Sequence, residues 1–254
     1  MLALIDGDIV AYTAAARAEQ TVEFADGMTH IWGDPAATEA SIEEFVASVA
    51  LAVGADRVLL ALSCQVGNFR KDVYPAYKSN RKSKRKPVTF AHARSFITKT
   101  YEVMERPGLE ADDILAIVAT GKIRGLCGKR VVCSIDKDMK TFPCQLFNWM
   151  KPEDGIVTIT ETEADYNFYK QILTGDSTDG YPGCPGIGEV RASRLLDPAL
   201  GFASNWQSIV GTYEAKGLTE DDAITQARCA RILRACDYDF KNKRPILWTP
   251  PREE

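Results

Sequence analysis

The chain has 254 residues, 45% of them hydrophobic, and a formal net charge of -4. This is enough apolar material for one large globular domain or two small ones. No stretch approaches the roughly 20 uncharged apolar residues of a membrane span, and the opening MLALIDGDIVAYTAA carries aspartates where a signal peptide carries cations. We therefore expect a cytoplasmic protein that does not enter a membrane.

Cysteine and histidine usage argues against two classes of site. The seven cysteines are an odd number without a C-x-x-C pair, so we expect them to be reduced and structural, without zinc. His30 and His92 are the two histidines, and there is no G-x-S-x-G motif. A serine or cysteine triad therefore has few candidate bases, and any hydrolytic chemistry must use other groups.

Strand-like and helix-like patterns alternate along the first 160 residues. Three apolar runs without alternation predict buried parallel strands: LALID (2–6), RVLLALS (57–63) and RVVCSID (130–136). Further strand candidates are YEVMER (101–106), QLFNWM (145–150) and IVTIT (156–160). The helical patterns AATEASIEEFVASVALAVG and ADDILAIVATGKI precede the second and third runs. This order predicts an α/β fold with a mostly parallel central sheet flanked by helices.

The pattern becomes mostly helical after residue 161. TEADYNFYKQILTG, EVRASRLL and LTEDDAITQARCARILRACDYDF are the helical stretches of this part. We therefore predict a boundary near 160, between an α/β core at 1–160 and a helical part at 161–254.

Carboxylates fall in four short clusters, two of which close predicted strands. The clusters are Asp6 with Asp8, Glu110 with Asp112 and Asp113, Asp136 with Asp138, and Asp176 with Asp179. Each cluster alone has an ordinary explanation as a turn, a helix cap or a loop. Because ligands bind outside the carboxyl ends of parallel strands, the four clusters can converge at one sheet edge.

Converging carboxylates would repel and would raise each other's pKa unless cations neutralised them. Hard oxygen ligands select Mg²⁺ or Mn²⁺. Two such ions about 4 Å apart can hydrolyse a phosphodiester without any histidine. The sequence thus favours a two-metal site for phosphodiester hydrolysis.

A basic run extends from Arg70 to Lys86 and holds eight cations against one anion, Asp72. Tyr74 and Tyr77 lie within it. Such a segment attracts a phosphate backbone and offers rings on which unpaired bases can stack. The alternative is a solvated surface loop or a disordered tail.

The turn GCPGIG (183–188) precedes a helical pattern. Glycines allow a tight connection whose N–H groups can hold DNA phosphates and whose carbonyls can hold a monovalent cation. A simple helix-connecting loop is the alternative.

Five blocks together resemble one family. LIDGD, FRKDVYPAYKSNR, LEADDILA, SIDKDMK and LTGDSTDGYPGCPGIGEVRASRLL occur in family order over residues 2–196. They resemble the 5′ nucleases, which include flap endonucleases, the 5′ nuclease domain of bacterial DNA polymerase I and phage 5′→3′ exonucleases. The ending ARILRACDYDFKNKRPILW looks most like the phage enzymes.

The resemblance implies a PIN-like core with a helical arch near 68–90 and a helix-three-turn-helix DNA-binding element at about 176–197. The implied activity is 5′→3′ exonuclease or flap endonuclease cleavage of duplex DNA, with 5′-phosphate products. It would serve phage replication or recombination in the host cytoplasm. A monomer is implied, and RNA in RNA–DNA hybrids is a further candidate substrate.

The resemblance also implies roles for single residues. Asp6, Glu110 and Asp112 would hold one metal, and Asp136, Asp138 and Asp179 a second, with Asp113 and Asp176 as outer or shared ligands. Lys78 and Arg81 would contact the scissile phosphate, and Tyr77 would stack on the terminal base. The implied DNA-binding set is Arg70, Tyr77, Lys78, Arg81, Gly183, Gly186 and Gly188, with a potassium ion at the 183–188 turn.

One position departs from the family pattern. Many members have an aspartate at the end of the second strand, where this chain has Ser63. The first metal site is then weaker, relies more on water, or uses Asp8 instead.

Two other functions remain open from the sequence. ALIDGDIV fits the D-x-D-x-V motif of haloacid-dehalogenase-type phosphatases, with Asp6 as nucleophile and Asp8 as acid. That reading leaves the basic run and the glycine turn unexplained. A non-catalytic DNA-binding module is the second alternative, supported by Ser63 and opposed by carboxylates that would repel DNA.

Overall fold

The structure is a computed structural model that describes residues 1–25, 27–81 and 85–250. Its strands are β1 (Leu2–Asp6), β2 (Glu19–Glu23), β3 (Thr29–Gly33), β4 (Arg57–Ala61), β5 (Val103–Met104), β6 (Arg130–Cys133), β7 (Cys144–Phe147), β8 (Ile156–Ile159), β9 (Tyr238–Asp239) and β10 (Arg244–Pro245). Its helices are α1 (Gly7–Arg17), α2 (Pro35–Val53), α3 (Arg70–Val73), α4 (Phe90–Thr100), α5 (Ala111–Thr120), α6 (Glu161–Thr174), α7 (Glu189–Leu195), α8 (Phe202–Glu214) and α9 (Glu220–Ala230).

The central sheet has the strand order β5-β4-β1-β6-β7-β8 within the described residues. All neighbouring strands are parallel except β7 and β8. The strand β1 is buried on both faces, with Leu2 and Leu4 in one core and Ala3 and Ile5 in the other. The prediction of a mostly parallel α/β sheet is therefore confirmed, and the three apolar runs are its adjacent central strands.

Helices cover both faces of the sheet. The helix α5 packs on one face, and α1, α2 and α4 pack on the other. The helix α2 buries Ile42, Val46, Val49 and Val53, a spacing that forms one apolar stripe. Asp34 accepts the Ala36 N–H at its start, and a left-handed Gly54 ends it.

A third core lies among the helices that follow the sheet. The helix α6 begins at Glu161, after a capping box formed by Thr160 and Glu163. It packs with α7, α8 and α9, and Tyr77 from the preceding part also belongs to this core. A change of pattern near 160 thus coincides with a helix start, and the division into two domains stays a prediction.

The structure differs from the sequence reading in one segment. The hairpin β2–β3 was not predicted, because its mostly exposed strands lack an apolar pattern. The described part of the predicted helical arch at 68–90 contains α3, a 3-10 helix at Ser79–Arg81 and the start of α4, and the arch stays a prediction. Lys82, Ser83 and Lys84 of the basic run lie outside the described residues. In the described part of the chain, no helix is both long and apolar enough to cross a membrane.

Candidate active site

The carboxyl ends of β1, β4 and β6 open into a cavity of about 510 Å³. Eight carboxylates line it: Asp6, Asp8, Glu110, Asp112, Asp136, Asp138, Asp176 and Asp179. Three cations line it as well: Lys78, Arg81 and Lys137. The four acidic clusters therefore meet at one sheet edge, together with two cations of the basic run.

Local structure fixes the two strand-end aspartates. Asp6 caps α1, because its Oδ1 accepts the N–H groups of Asp8 and Ile9, each at 3.1 Å. Asp136 caps the 3-10 helix Lys137–Thr141 and accepts the Asp138 N–H at 2.9 Å. The structural and functional explanations of these motifs are thus compatible, since each cap also lines the cavity.

Burial and mutual repulsion perturb the central carboxyls. Burial, and then the Asp8 charge, raise the pKa of Asp6 to about 7. Burial, followed by the charges of Asp6 and Asp136, raises the pKa of Asp112 well above its ordinary value. Burial and then Asp136 raise the pKa of Asp138 to about 7. These groups are close enough to oppose one another's ionisation, as expected at a cation site.

Glu110, Asp176 and Asp179 are paired with cations. The Lys78 ammonium forms an ion pair with Glu110 and lies 3.4 Å from Asp179, whose other oxygen is 2.5 Å from the Arg81 guanidinium. Burial favours the neutral form of Glu110, but the Lys78 and Arg70 charges outweigh it and lower the pKa of Glu110 to about 2. Lys137, which sequence reasoning missed although it separates two predicted ligands, lies 3.1 Å from Asp176.

The donor set has the chemistry that Mg²⁺ or Mn²⁺ requires. Its groups are hard oxygen donors at one sheet edge, and burial together with mutual repulsion raises the pKa values of Asp6 and Asp138, which a bound divalent cation would counteract. Among the described residues, however, no three His, Cys, Asp or Glu side chains are arranged around one point to hold an ion. These carboxylates are suitable ligands for a divalent cation, but their side chains must move closer together to bind one.

Two predicted site residues, Arg70 and Asp113, form a buried pair outside the cavity. The Arg70 guanidinium, 2% exposed, donates to both oxygens of Asp113 at 2.7 and 2.8 Å. It also donates to the carbonyls of Cys229 and Arg231 at 3.0 and 2.6 Å. The two groups neutralise each other in the interior of this structure, and the predicted DNA contact of Arg70 and metal role of Asp113 stay predictions.

Tyr77 is buried as well. Its ring is 2% exposed and stacks on Tyr181, with 6.2 Å between centroids. Its hydroxyl lies 2.9 Å from Glu110 and 2.7 Å from Asp179. In this conformation Tyr77 contacts two carboxylates through its hydroxyl, and its predicted stacking on a terminal base stays a prediction.

The three glycines of the 183–188 turn lie in the loop between α6 and α7, apart from the cavity lining. Gly183 is buried, and its N–H donates to Gln226 Oε1 at 2.9 Å, so this N–H does not face a phosphate as predicted. Gly186 and Gly188 are exposed, and the Gly186 carbonyl accepts from Arg191 at 2.8 Å. Their predicted contacts with DNA and potassium stay predictions.

Sequence reasoning also missed the partners of Ser63. Its hydroxyl accepts the Ala111 N–H at 2.9 Å, and its carbonyl accepts from Arg94 at 2.9 Å. Arg94 forms an ion pair with Asp8 as well. No motif marks Arg94, because it lies within an ordinary amphipathic helix.

The structure is an α/β fold with an acidic cavity at the carboxyl edge of a mostly parallel sheet, and comparison with known proteins specifies the family. The family described as "5′-3′ exonuclease, N-terminal resolvase-like domain" matches residues 1–176. The exodeoxyribonuclease of Enterobacteria phage T3 is 31% identical, over 97% of this chain and 92% of that protein. The exonuclease of Escherichia phage T7 is 30% identical, over 97% and 93%.

A solved structure agrees in fold. The T5 D15 protein, co-crystallized with metal ions, superposes with a TM-score of 0.66 at 16% identity, covering 91% of this chain and 89% of that chain. The chain belongs to the 5′-3′ exonuclease family. It is accordingly a nuclease, and the predicted resemblance is confirmed.

Proposed function

We propose that this nuclease uses two divalent metal ions, Mg²⁺ or Mn²⁺, to cleave duplex DNA from 5′ ends or at 5′ flaps, leaving 5′-phosphate products. The observation that carries the proposal is the meeting of eight carboxylates in one cavity, with the pKa values of Asp6 and Asp138 raised to about 7. The name of the phage T3 relative, an exodeoxyribonuclease, supports DNA as the substrate, and the description of the matching family supports the 5′→3′ direction.

The ligand set that we propose is Asp6, Glu110, Asp112, Asp136, Asp138, Asp176 and Asp179. Ions bound there would activate a water and stabilise the leaving oxygen of the phosphodiester. The chain's own cations would bind the substrate. Lys78 and Arg81, which now pair with Glu110 and Asp179, are within reach of the same cavity and would turn to the scissile phosphate.

We further propose that α6, the 175–188 loop and α7 grip duplex DNA as a helix-three-turn-helix element. Gly186 and Gly188 are exposed on this loop, and a potassium ion is the proposed occupant of its carbonyls. Function as a monomer in phage replication or recombination, with RNA–DNA hybrids as a second substrate, belongs to the same proposal.

The test is a time course on a blunt or 5′-overhang duplex labelled at the 3′ end, with Mg²⁺ or with excess EDTA. A ladder that shortens from the 5′ end only with Mg²⁺ is the expected result. Intact DNA that shifts on a gel under both conditions would favour the non-catalytic binding module. Hydrolysis of small phosphate esters without any cleavage of DNA would favour the phosphatase, whose acid Asp8 is paired here with Arg94.

Two substitutions assign the chemistry. Asp112→Asn should abolish cleavage while DNA binding survives, with the exposed Asp221→Asn as its matched control. Lys78→Ala should lower kcat by roughly 10²-fold, as when a charge-stabilising donor is removed, with a smaller effect on affinity. Its control is the exposed Lys71→Ala. Full activity of Asp112→Asn would exclude the proposed site.

A further inference from the structure

Asp8, Ser63 and Arg94 form a closed hydrogen-bonded unit at the cavity, which we name the Asp8 clamp. Arg94 Nη1 pairs with Asp8 Oδ1, and Arg94 Nη2 donates to the Ser63 carbonyl at 2.9 Å. The Ser63 N–H in turn donates to Asp8 Oδ2 at 2.9 Å. Both carboxylate oxygens of Asp8 are therefore engaged by groups of the protein.

The Asp8 clamp connects the elements that carry the central carboxylates. Asp8 lies in the first turn of α1, which Asp6 caps. Ser63 follows β4, and its hydroxyl accepts the Ala111 N–H at the start of α5. Ala111 lies between Glu110 and Asp112. The Asp8 clamp therefore fixes the start of α1 and the start of α5 relative to β4.

Charge balance explains why Asp8 stays with Arg94. The Arg94 side chain is 8% exposed, and a guanidinium at such a depth requires a carboxylate partner. Its second carboxylate, Glu105, is 41% exposed and 3.2 Å away, which makes it the weaker partner. A metal ion that took Asp8 would leave Arg94 in the interior with Glu105 as its remaining carboxylate.

We propose that Arg94 is a positioning residue that withholds Asp8 from the metal-binding set of this chain. The inference rests on the proposed function, because it assumes that the cavity binds divalent cations. The proposal also bears on Ser63, which stands where many family members have an aspartate at the end of the second predicted strand. Asp8 does not take the place of that missing carboxylate. The neutral Ser63 and the neutralised Asp8 leave the remaining carboxylates to bind the ions.

The proposal predicts a characteristic order of metal affinities. Asp8→Asn removes a negative charge near the ions and should weaken Mn²⁺ binding by roughly threefold to tenfold, whereas Arg94→Met should strengthen it by a similar factor. The double variant Asp8→Asn/Arg94→Met has the net charge of the wild type and should bind Mn²⁺ within about twofold of it. If Asp8 is a ligand, the double variant loses affinity as severely as Asp8→Asn.

The experiment titrates Mn²⁺ into each protein without DNA and follows the electron paramagnetic resonance signal of free Mn²⁺. Thermal unfolding by circular dichroism checks that each variant is folded, and Arg94→Lys serves as the control that keeps the charge. If Arg94 has only a structural role, Arg94→Met will bind Mn²⁺ no more tightly than the wild type. That result would overturn the proposal.

Two further outcomes distinguish a failure of this inference from a failure of the proposed function. If Arg94→Met does not fold, a loss of more than about a hundredfold in Asp8→Asn alone overturns the inference, since that loss marks a ligand. A smaller loss supports it. If the wild-type chain binds no Mn²⁺, the proposed function falls and the inference falls with it.

Discussion

At the scale of single residues, neighbours in one motif occupy opposite environments. Asp112 lines the cavity, whereas Asp113 is fully buried against Arg70. Successive helical residues point about 100° apart, so only one of the two can face the sheet edge. The sequence LEADDIL shows the carboxylates but not which face of α5 is buried.

We predict that Arg70→Met lowers the free energy of unfolding by roughly 3–5 kcal/mol, because it leaves Asp113 buried without its charged partner. Urea denaturation measures the loss. The exposed neighbour Lys71→Met is the control and should change stability by less than about 0.5 kcal/mol. A stable Arg70→Met variant with weakened DNA binding would support the interpretation of Arg70 as a DNA contact.

We predict that metal affinity depends on pH. Burial and neighbouring charges raise the pKa of Asp6 and Asp138 from the ordinary value of 3.8 to about 7. Bound metal requires ionised ligands, so Mn²⁺ must displace protons below about pH 7. Affinity should rise between about pH 6 and pH 8, with proton release measured by calorimetry in two buffers of different ionisation enthalpy. Equal affinity at both pH values would contradict the pKa shifts.

The raised pKa values of Asp6 and Asp138 also make the stability of the metal-free protein decrease as the pH rises. A carboxyl whose pKa is raised in the folded state contributes stability below its unfolded value, near 3.8, and loses it as the pH rises to about 7. Mn²⁺ should therefore raise the melting temperature more at about pH 8 than at about pH 5.

At the scale of elements, the loop between α6 and α7 is held by close backbone contact. A Cβ on Gly183 would lie 2.3 Å from the Gly175 nitrogen, and Gly183 has φ +65°. Gly186 has φ +76°, but a Cβ there would meet only the Arg191 guanidinium, at an ordinary contact distance of 3.8 Å. Gly183 and Gly186 thus serve different purposes that the sequence alone does not distinguish.

We predict that Gly183→Ala destabilises the protein by more than about 3 kcal/mol, because a backbone clash is added to the left-handed strain. Gly186→Ala is the matched control and should cost only about 1 kcal/mol. Thermal unfolding of both variants measures the difference. Similar stability of the two would show that the loop can move away from α6.

Tertiary contacts hold the described part of the predicted helical arch. The Lys78 N–H donates to the Asp179 carbonyl at 2.6 Å, and Asn80 donates to the Ser177 carbonyl at 2.9 Å. Lys78 has a φ of 54°, which no helix permits. Contacts with the 176–181 loop therefore fix the 76–81 segment in this structure, and the helical arch stays a prediction.

At the scale of the whole molecule, the sign of charge decides how DNA can approach. The net charge is -4, and the cavity has eight carboxylates against three cations. A phosphate backbone is therefore repelled from the cavity unless metal ions neutralise it.

We predict that Ca²⁺ increases affinity for a 5′-overhang duplex by roughly tenfold or more over EDTA, because bound cations reverse the local repulsion. Fluorescence anisotropy at matched ionic strength measures it. Asp112→Asn should reduce the Ca²⁺ effect, and the exposed Asp221→Asn should not. Equal affinity with Ca²⁺ and EDTA would show that DNA binds away from the cavity.

Much of the architecture follows from the sequence by itself. The runs at LALID, RVLLALS and RVVCSID are apolar on both faces, and only the centre of a parallel sheet buries both faces of a strand. Asp6 and Asp136 are the last residues of two of these runs, so their place at the carboxyl edge is a consequence of strand direction. The exposed hairpin β2–β3 could not be predicted in the same way, since little of it is buried.

Only the tertiary structure decided which charged groups face the cavity and which face one another. Arg70 reaches Asp113 across 43 residues, and Arg94 reaches Asp8 across 86. The sequence motifs predict which charged residues lie at the ends of strands and helices, because strand and helix periodicity are local properties. The partner of a charge is set by packing between distant elements, since a charge in the interior must find its counter-ion wherever the fold brings one within reach.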